Sequence, residues 1–285
     1  MIKINCSNSV KSFIKYTNVL YIIKRGYGIC LSFPVNKSPP KKIKKIFHIL
    51  DVLNPKRMNR CGKEMSWSEW LVEGVFPTIL YNENNKSLFS LLKDKRFSSK
   101  AIYSDINGYS SFFGRMARKR KYSSYGNFNG FLDLLLYRLK IKNIQSQPMY
   151  YFDVENPSWV LEHIFKNPNQ LKTNRTSLSC VSNFSFNYVS KEDKLIMSMV
   201  LRHNEWSHIA GDIFGGEMIA NSIIKELGIK NGVVNIFILS ASITGAKINK
   251  IHVNKINKIN QNKEQKWKLY CYLLIKQLIQ KQKRT

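Results

Sequence analysis

Apolar residues recur along this chain with two periods, and the switch between them marks out the elements. Ile46, Phe47, Leu50 and Leu53 share one side of a helix predicted over Ile43 to Leu53. Ser87 to Phe97 reads as a short amphipathic helix. Phe128 to Lys140 reads as a longer one, with Phe131, Leu134, Leu135 and Leu139 inward. Trp159 to Phe165 is a short helix ended by Asn167-Pro168. Ile213 to Leu227 predicts another, with Ile213, Met218, Ile219, Ile223 and Leu227 inward and Gly228 as C-cap.

The two-residue period appears elsewhere. Gln147 to Val154 resembles a strand. Val181 to Val189 puts Phe184, Phe186 and Tyr188 on a buried face, opposite Val181, Asn183, Ser185, Asn187 and Val189. Lys191-Glu192-Asp193-Lys194 predicts a hairpin turn. Leu195 to Leu201 is continuously apolar, which predicts burial on both faces, and Val233 to Leu239 is a second buried strand.

The first 53 residues are less regular. They read as a short apolar segment (Val19 to Ile23), a turn through Arg25-Gly26-Tyr27-Gly28, and a Pro/Lys linker broken at Pro39-Pro40. We set residues 1–53 apart as a basic N-terminal segment, 54–244 as the main domain, and 245–285 as a Lys/Asn-rich linker with an amphipathic helix. That last helix, with Trp267, Cys271, Leu274 and Leu278, suits a partner or a surface, or packing on the same domain.

Composition modifies this picture in three ways. The 285 residues carry 44% hydrophobic and 12% aromatic content, enough for a real core. The net charge of +28 points to nucleic acid or another anionic surface, densest at 114–122 (GRMARKRKY). Much of that excess is lysine scattered among isoleucine and asparagine, as in residues 247–263, and AT-rich codons would give the same balance. The five cysteines are odd in number and widely spaced, which argues against a zinc site or disulfide framework and for a reducing intracellular compartment. No apolar run approaches the roughly 20 residues of a membrane span. The acid-free leader to Asp51 reads either as a transit peptide or as ordinary Lys-rich sequence.

Candidate chemistry gathers between Thr176 and Ile243. Cys180 opens the alternating strand, and Arg202 ends the strand that the hairpin pairs against it. A cationic neighbour lowers a thiol's pKa and makes the thiolate available. Glu205 follows, and a glycine-flanked Asp212 leads into the helix. In the basic loop Asn54 to Gly62, Arg57 and Arg60 could clamp a phosphate. His203 and His208 read as hydrogen-bonded loop residues, and Gly215-Gly216 as a point of close packing or of phosphate approach. His48, His163 and His252 are too scattered for a metal site.

The order and spacing of these residues resemble the thymidylate synthase superfamily, which includes the pyrimidine-nucleotide hydroxymethylases. Cys180 and Phe186 stand where that family has its cysteine and following aromatic; LIMSMVLRHNE resembles its second strand and arginine. GDIFGGEMIANSIIKELGIKNG resembles its helix and turn, FILSASI its last strand, and Tyr125-Gly126 its Tyr-Gly. The resemblance is firm from about 176 to 243 and weaker from 122 to 157. It implies an α+β fold, a central mixed sheet covered by helices, with the basic helical tail appended, and a homodimer.

It also implies one-carbon transfer from 5,10-methylenetetrahydrofolate to C5 of a pyrimidine nucleotide monophosphate, through a covalent Cys180 adduct. Arg202, with Arg57 or Arg60, would bind the phosphate; Asp212 would meet the base edge, and Glu205 the folate. The sequence departs from the family at Ser179 (for Pro), His203 (for Ser), Ser242 and Thr244 (for the sugar-binding His and Tyr), Gln147 and Pro148 (for paired arginines) and Ser90 (for a Glu). The alternative is a superfamily member that has lost catalysis and serves as a binding or structural protein, or a basic nucleic-acid-binding protein.

Overall fold

A strand of alternating polarity needs cover on only one side, and the chain supplies that cover with helices. The computed structural model describes residues 1–36, 42–58, 64–94, 116, 130–140, 149–153, 181–243 and 248–259. Strand β1 (Ile2–Asn5), helix α1 (Ser9–Ile23) and strand β2 (Arg25–Pro34) form a first β-α-β crossover. Helix α2 (Ile43–Leu53) follows, then the small hairpin of β3 (Arg57–Met58) and β4 (Glu64–Met65). Helices α3 (Trp67–Val75), α4 (Thr78–Glu83), α5 (Leu88–Lys93) and α6 (Phe131–Lys140) lead to β5 (Met149–Asp153) and β6 (Val181–Val189). Strand β7 (Lys194–Leu201), the short β8 (Asn204–Glu205), helix α7 (Ile209–Leu227) and strand β9 (Asn231–Ser242) make the second crossover, and α8 (Lys250–Lys258) closes the described chain.

The main sheet runs β1-β2-β9-β7-β6-β5, with β8 also paired to β9. It is mixed: β1/β2 and β7/β9 are parallel, while β2/β9, β6/β7 and β5/β6 are antiparallel. Mixed α/β architecture with helices on the sheet is therefore as the sequence implied. Of the basic tail, α8 falls within the described residues; the helix expected around Trp267 and the one at Trp159 to Phe165 lie outside them. Residues 1–53, which the sequence set apart, supply β1, α1, β2 and α2, and so join the same sheet and helical layer.

Register explains the core. Leu31, Ile236, Met199, Phe184 and Phe152 are paired neighbours across successive strands, and all are buried. The next row on the opposite face is Ser32, Asn235, Ser198, Ser185 and Tyr151. Strand β7 is thus not buried on both faces as expected. Leu195, Met197, Met199 and Leu201 are buried, while Ile196, Ser198 and Val200 are half-buried, because helices cover one side. A bulge between Val181 and Asn183 also turns Val181 onto the buried face with Phe184 and Phe186. The turn expected at Arg25 to Gly28 is the start of β2, with Gly28 at φ 62°.

Local signals fix the helix ends. Ser66 and Glu69 form a reciprocal capping box at α3, satisfying two otherwise orphaned amides. Gly228, at φ 64°, ends α7 as predicted. Helix α7 lies tightly on α3: a Cβ on Gly215 would sit 2.5 Å from Val75 Cβ, and one on Gly211 2.8 Å from the Leu71 carbonyl. Close packing is therefore what Gly215 provides. Glu226 near the end of α7 accepts from Leu88 N at 2.7 Å and Ser87 Oγ at 3.2 Å, which anchors α5.

Candidate functional site

The site lies where β7 ends. Beyond Leu201 the chain bends through Arg202-His203, and β8 steps across to pair with Ala241 and Ser242 at the end of β9. Trp206 N then donates to the Ser242 carbonyl at 2.8 Å, and α7 begins at Ile209. This geometry gathers Arg202, His203, Glu205, His208 and Asp212 within a single turn-and-helix start. Arg202 and Glu205 are half-buried and His203 is exposed, its Nδ1 3.3 Å from Ser240 Oγ.

Beneath the bend is a buried polar chain. Asn204 Nδ2 donates to Asp212 Oδ2 at 2.7 Å, and Tyr16 Oη donates to Asn204 Oδ1 at 3.2 Å. Trp206 Nε1 donates to Thr17 Oγ1 at 2.9 Å, so α1 is tied to the same turn twice. Burial pushes the Asp212 carboxyl up to about 7, against the opposing hydrogen bond from Asn204. Burial and the nearby Asp212 carboxylate also raise the Tyr16 phenol. A buried carboxyl titrating near neutrality beside a site edge is a proton-holding group.

Above the bend is an aromatic cluster, formed by the Trp67 and Trp70 stretch that follows the basic loop in sequence. Trp67 and Trp70 stack with centroids 5.2 Å apart, and the His208 ring lies 5.5 Å from Trp67 and 6.5 Å from Trp70. The exposed Arg57 guanidinium sits 4.8 Å from the Trp67 ring and 5.6 Å from Trp70, in cation–π range. Burial pushes the His208 imidazole below its usual value; Glu205 opposes this, and Arg57 and His203 add to it. His208 is therefore a neutral ring at neutral pH. Trp67 Nε1 is buried and has no hydrogen-bond partner among the described residues, at a cost of about 1–3 kcal/mol. The signal available in sequence was the i, i+3 spacing of Trp67 and Trp70 behind a basic loop.

Of the residues singled out from sequence, the structure brings Arg57 and Glu205 to His208, and Asp212 to Asn204 below it. Arg202 stands at the end of β7. Cys180 and Arg60 lie outside the described residues, but Val181, which follows Cys180, pairs with Leu201, which precedes Arg202. Ser242, where the resembling family has its sugar-binding His, is buried in the β8/β9 pairing. Among the described residues no group of three His, Cys, Asp or Glu side chains could hold a metal ion, and no helix is long and apolar enough to cross a membrane.

No protein-family model matches the sequence, and comparison with curated proteins returns no match. Among solved structures, the chain is similar to thermostable thymidylate synthase A from Bacillus subtilis, at 12% identity and a TM-score of 0.43, covering 90% of this chain and 86% of that one. The resemblance is a distant one.

Proposed function

We propose that the chain binds a pyrimidine nucleoside monophosphate at the Arg202 end of β6 and β7, and that Cys180 activates C5 of its base for one-carbon transfer. The observation that carries this reading is the antiparallel pairing of Val181 with Leu201, which brings the residues next to Cys180 and Arg202 opposite each other. Motif order in the sequence from Thr176 to Ile243 supports the same reading.

In this reading the Cys180 thiolate adds to C6 of the base, and the π electrons of the C5–C6 bond move to C5 and the C4 oxygen. C5 takes a proton from water, or the one-carbon unit, and then loses its original hydrogen as a proton. Elimination of Cys180 restores the double bond. Arg202 holds the phosphate through paired N–H donors and lowers the thiol's pKa, with Arg57 or Arg60 as a second phosphate ligand. Asp212 meets the base edge. With its carboxyl near pH 7 it donates when protonated and only accepts when ionised, so it suits both uracil and cytosine edges. Asn204 holds it in place.

Glu205, beside the cluster of Arg57, Trp70 and His208, would hold a folate, which supplies the one-carbon unit when bound. The resemblance also supports a homodimer as the working form.

One observation favours a second reading, a protein that binds the nucleotide without transferring a methyl group. Ser242 is buried, and it cannot take over the sugar-binding role of the family's His. Titration calorimetry with dUMP and dCMP tests the binding common to both readings. Wild type should show saturable binding and Arg202→Ala at least tenfold weaker binding; equal affinities would overturn the site.

A further inference from the structure

A second concavity lies at the other end of the sheet. Strand β7 starts there at Lys194 and runs eight residues to Arg202, so at about 3.3 Å per residue the two ends are roughly 26 Å apart. The cleft measures about 550 Å³, within the roughly 300–1,000 Å³ of small-molecule sites. Val35, Ile224 and Val233 line it with apolar surface, and Glu192, Lys194, Lys230, Asn221 and Asn231 with polar groups, the Glu192 carboxylate being paired with Lys194. Gly232 keeps that surface closed: a Cβ there would lie 2.3 Å from Ile224 Cδ1 and 3.1 Å from Val35 Cγ2.

Charge at this end is unbalanced. The acids are engaged: Glu192 pairs with Lys194 at 3.0 Å, Asp193 accepts from Tyr188 Oη at 2.7 Å, and Glu226 caps α5. Lys230, which lines the cleft, makes no ion pair among the described residues. Asn221 and Asn231 likewise have side chains with no hydrogen bond among the described residues, and both line the cleft. An apolar surface, uncommitted carboxamides and surplus positive charge together select one ligand chemistry.

We propose that this cleft is a second binding site, for a small organic monoanion with a short apolar body. The carboxylate or equivalent group meets Lys230 and the Asn221 and Asn231 carboxamides, and the hydrocarbon lies on Ile224 and Val233. The site is independent of the nucleotide site, and its test does not rest on that reading.

Valerate, acetate and valeramide, titrated separately into the full chain, distinguish the contributions. The Ile224 δ-methyl resonance reports occupancy. Valerate should saturate that shift, acetate should bind at least tenfold more weakly because it lacks the buried methylenes, and valeramide should bind at least tenfold more weakly because it lacks the charge. Lys230→Gln should weaken valerate at least tenfold, while Arg202→Ala leaves it unchanged. Both substitutions are of surface or half-buried side chains, and circular dichroism confirms that the fold is retained. Absence of a saturable valerate shift, equal binding of valeramide, or unchanged affinity in Lys230→Gln would overturn the proposal.

Discussion

Asn204 donates to Asp212 at 2.7 Å while accepting from Tyr16 at 3.2 Å, so one carboxamide joins α1 to the start of α7 through the interior. The Asp212 carboxyl is raised from 3.8 to about 7 by burial. A raised folded-state value means the stabilising contribution is complete below about pH 4 and is lost as pH rises through 7. Asp212→Asn removes that titration. Chemical denaturation from pH 4 to 8 should show the variant gaining on wild type through this window, by up to about 4 kcal/mol, and levelling off above it. A parallel pair of curves would mean that Asp212 does not titrate there.

Asn204 itself should be costly to replace. Asn204→Leu leaves the Tyr16 hydroxyl and the Asp212 carboxyl buried without their partner, at about 1–3 kcal/mol each. Urea unfolding should show a loss of about 2 kcal/mol or more. Tyr16→Phe in the same background should recover part of it, because one of the two orphaned groups is then gone.

The α3/α7 crossing depends on Gly215. Adding a methyl group there forces Val75 aside, and overpacking of this kind costs about 1–3 kcal/mol. Gly215→Ala should be destabilised accordingly, and the double variant Gly215→Ala/Val75→Ala should be less unstable than the sum of the single changes. Strict additivity would show that the two residues do not meet.

His208 sits against both indoles of the Arg57 cluster, and its imidazole is held below the usual value by burial. Protonation quenches a neighbouring indole. Tryptophan fluorescence should therefore fall with a midpoint below pH 6.5, and His208→Gln should abolish that step. A midpoint above 6.5 would contradict the burial of His208.

Much of this was legible because the strongest sequence periods correspond to the most buried elements. The α2 range, the β6–β7 hairpin and the Gly228 cap follow directly from Ile46 and Leu50, from Phe184 and Phe186, and from a glycine beyond the last apolar turn. Helix α1 was harder: its serines, threonine and tyrosine are buried against α7 and Trp206, so polar letters hide a core helix. The start of β2 was obscured by two glycines that belong to a strand edge. At the site, the sequence placed Arg202, Glu205 and Asp212 on one unit, since they are close in the chain. It did not show the packing of Trp67 and Trp70 on His208, because that contact spans about 140 residues.

The central claim, nucleophilic activation of a pyrimidine at C5 by Cys180, is tested most directly by tritium release. Nucleotide labelled at C5, dUMP and dCMP in turn, is incubated with wild type and with Cys180→Ser, and tritiated water is counted. Because the exchange requires only addition at C6, uptake of a solvent proton at C5 and loss of the original C5 hydrogen, it reads the thiol's chemistry even without one-carbon transfer. Release by wild type from at least one nucleotide, reduced to background in Cys180→Ser, is the predicted result. Equal background from both proteins with both nucleotides would contradict it.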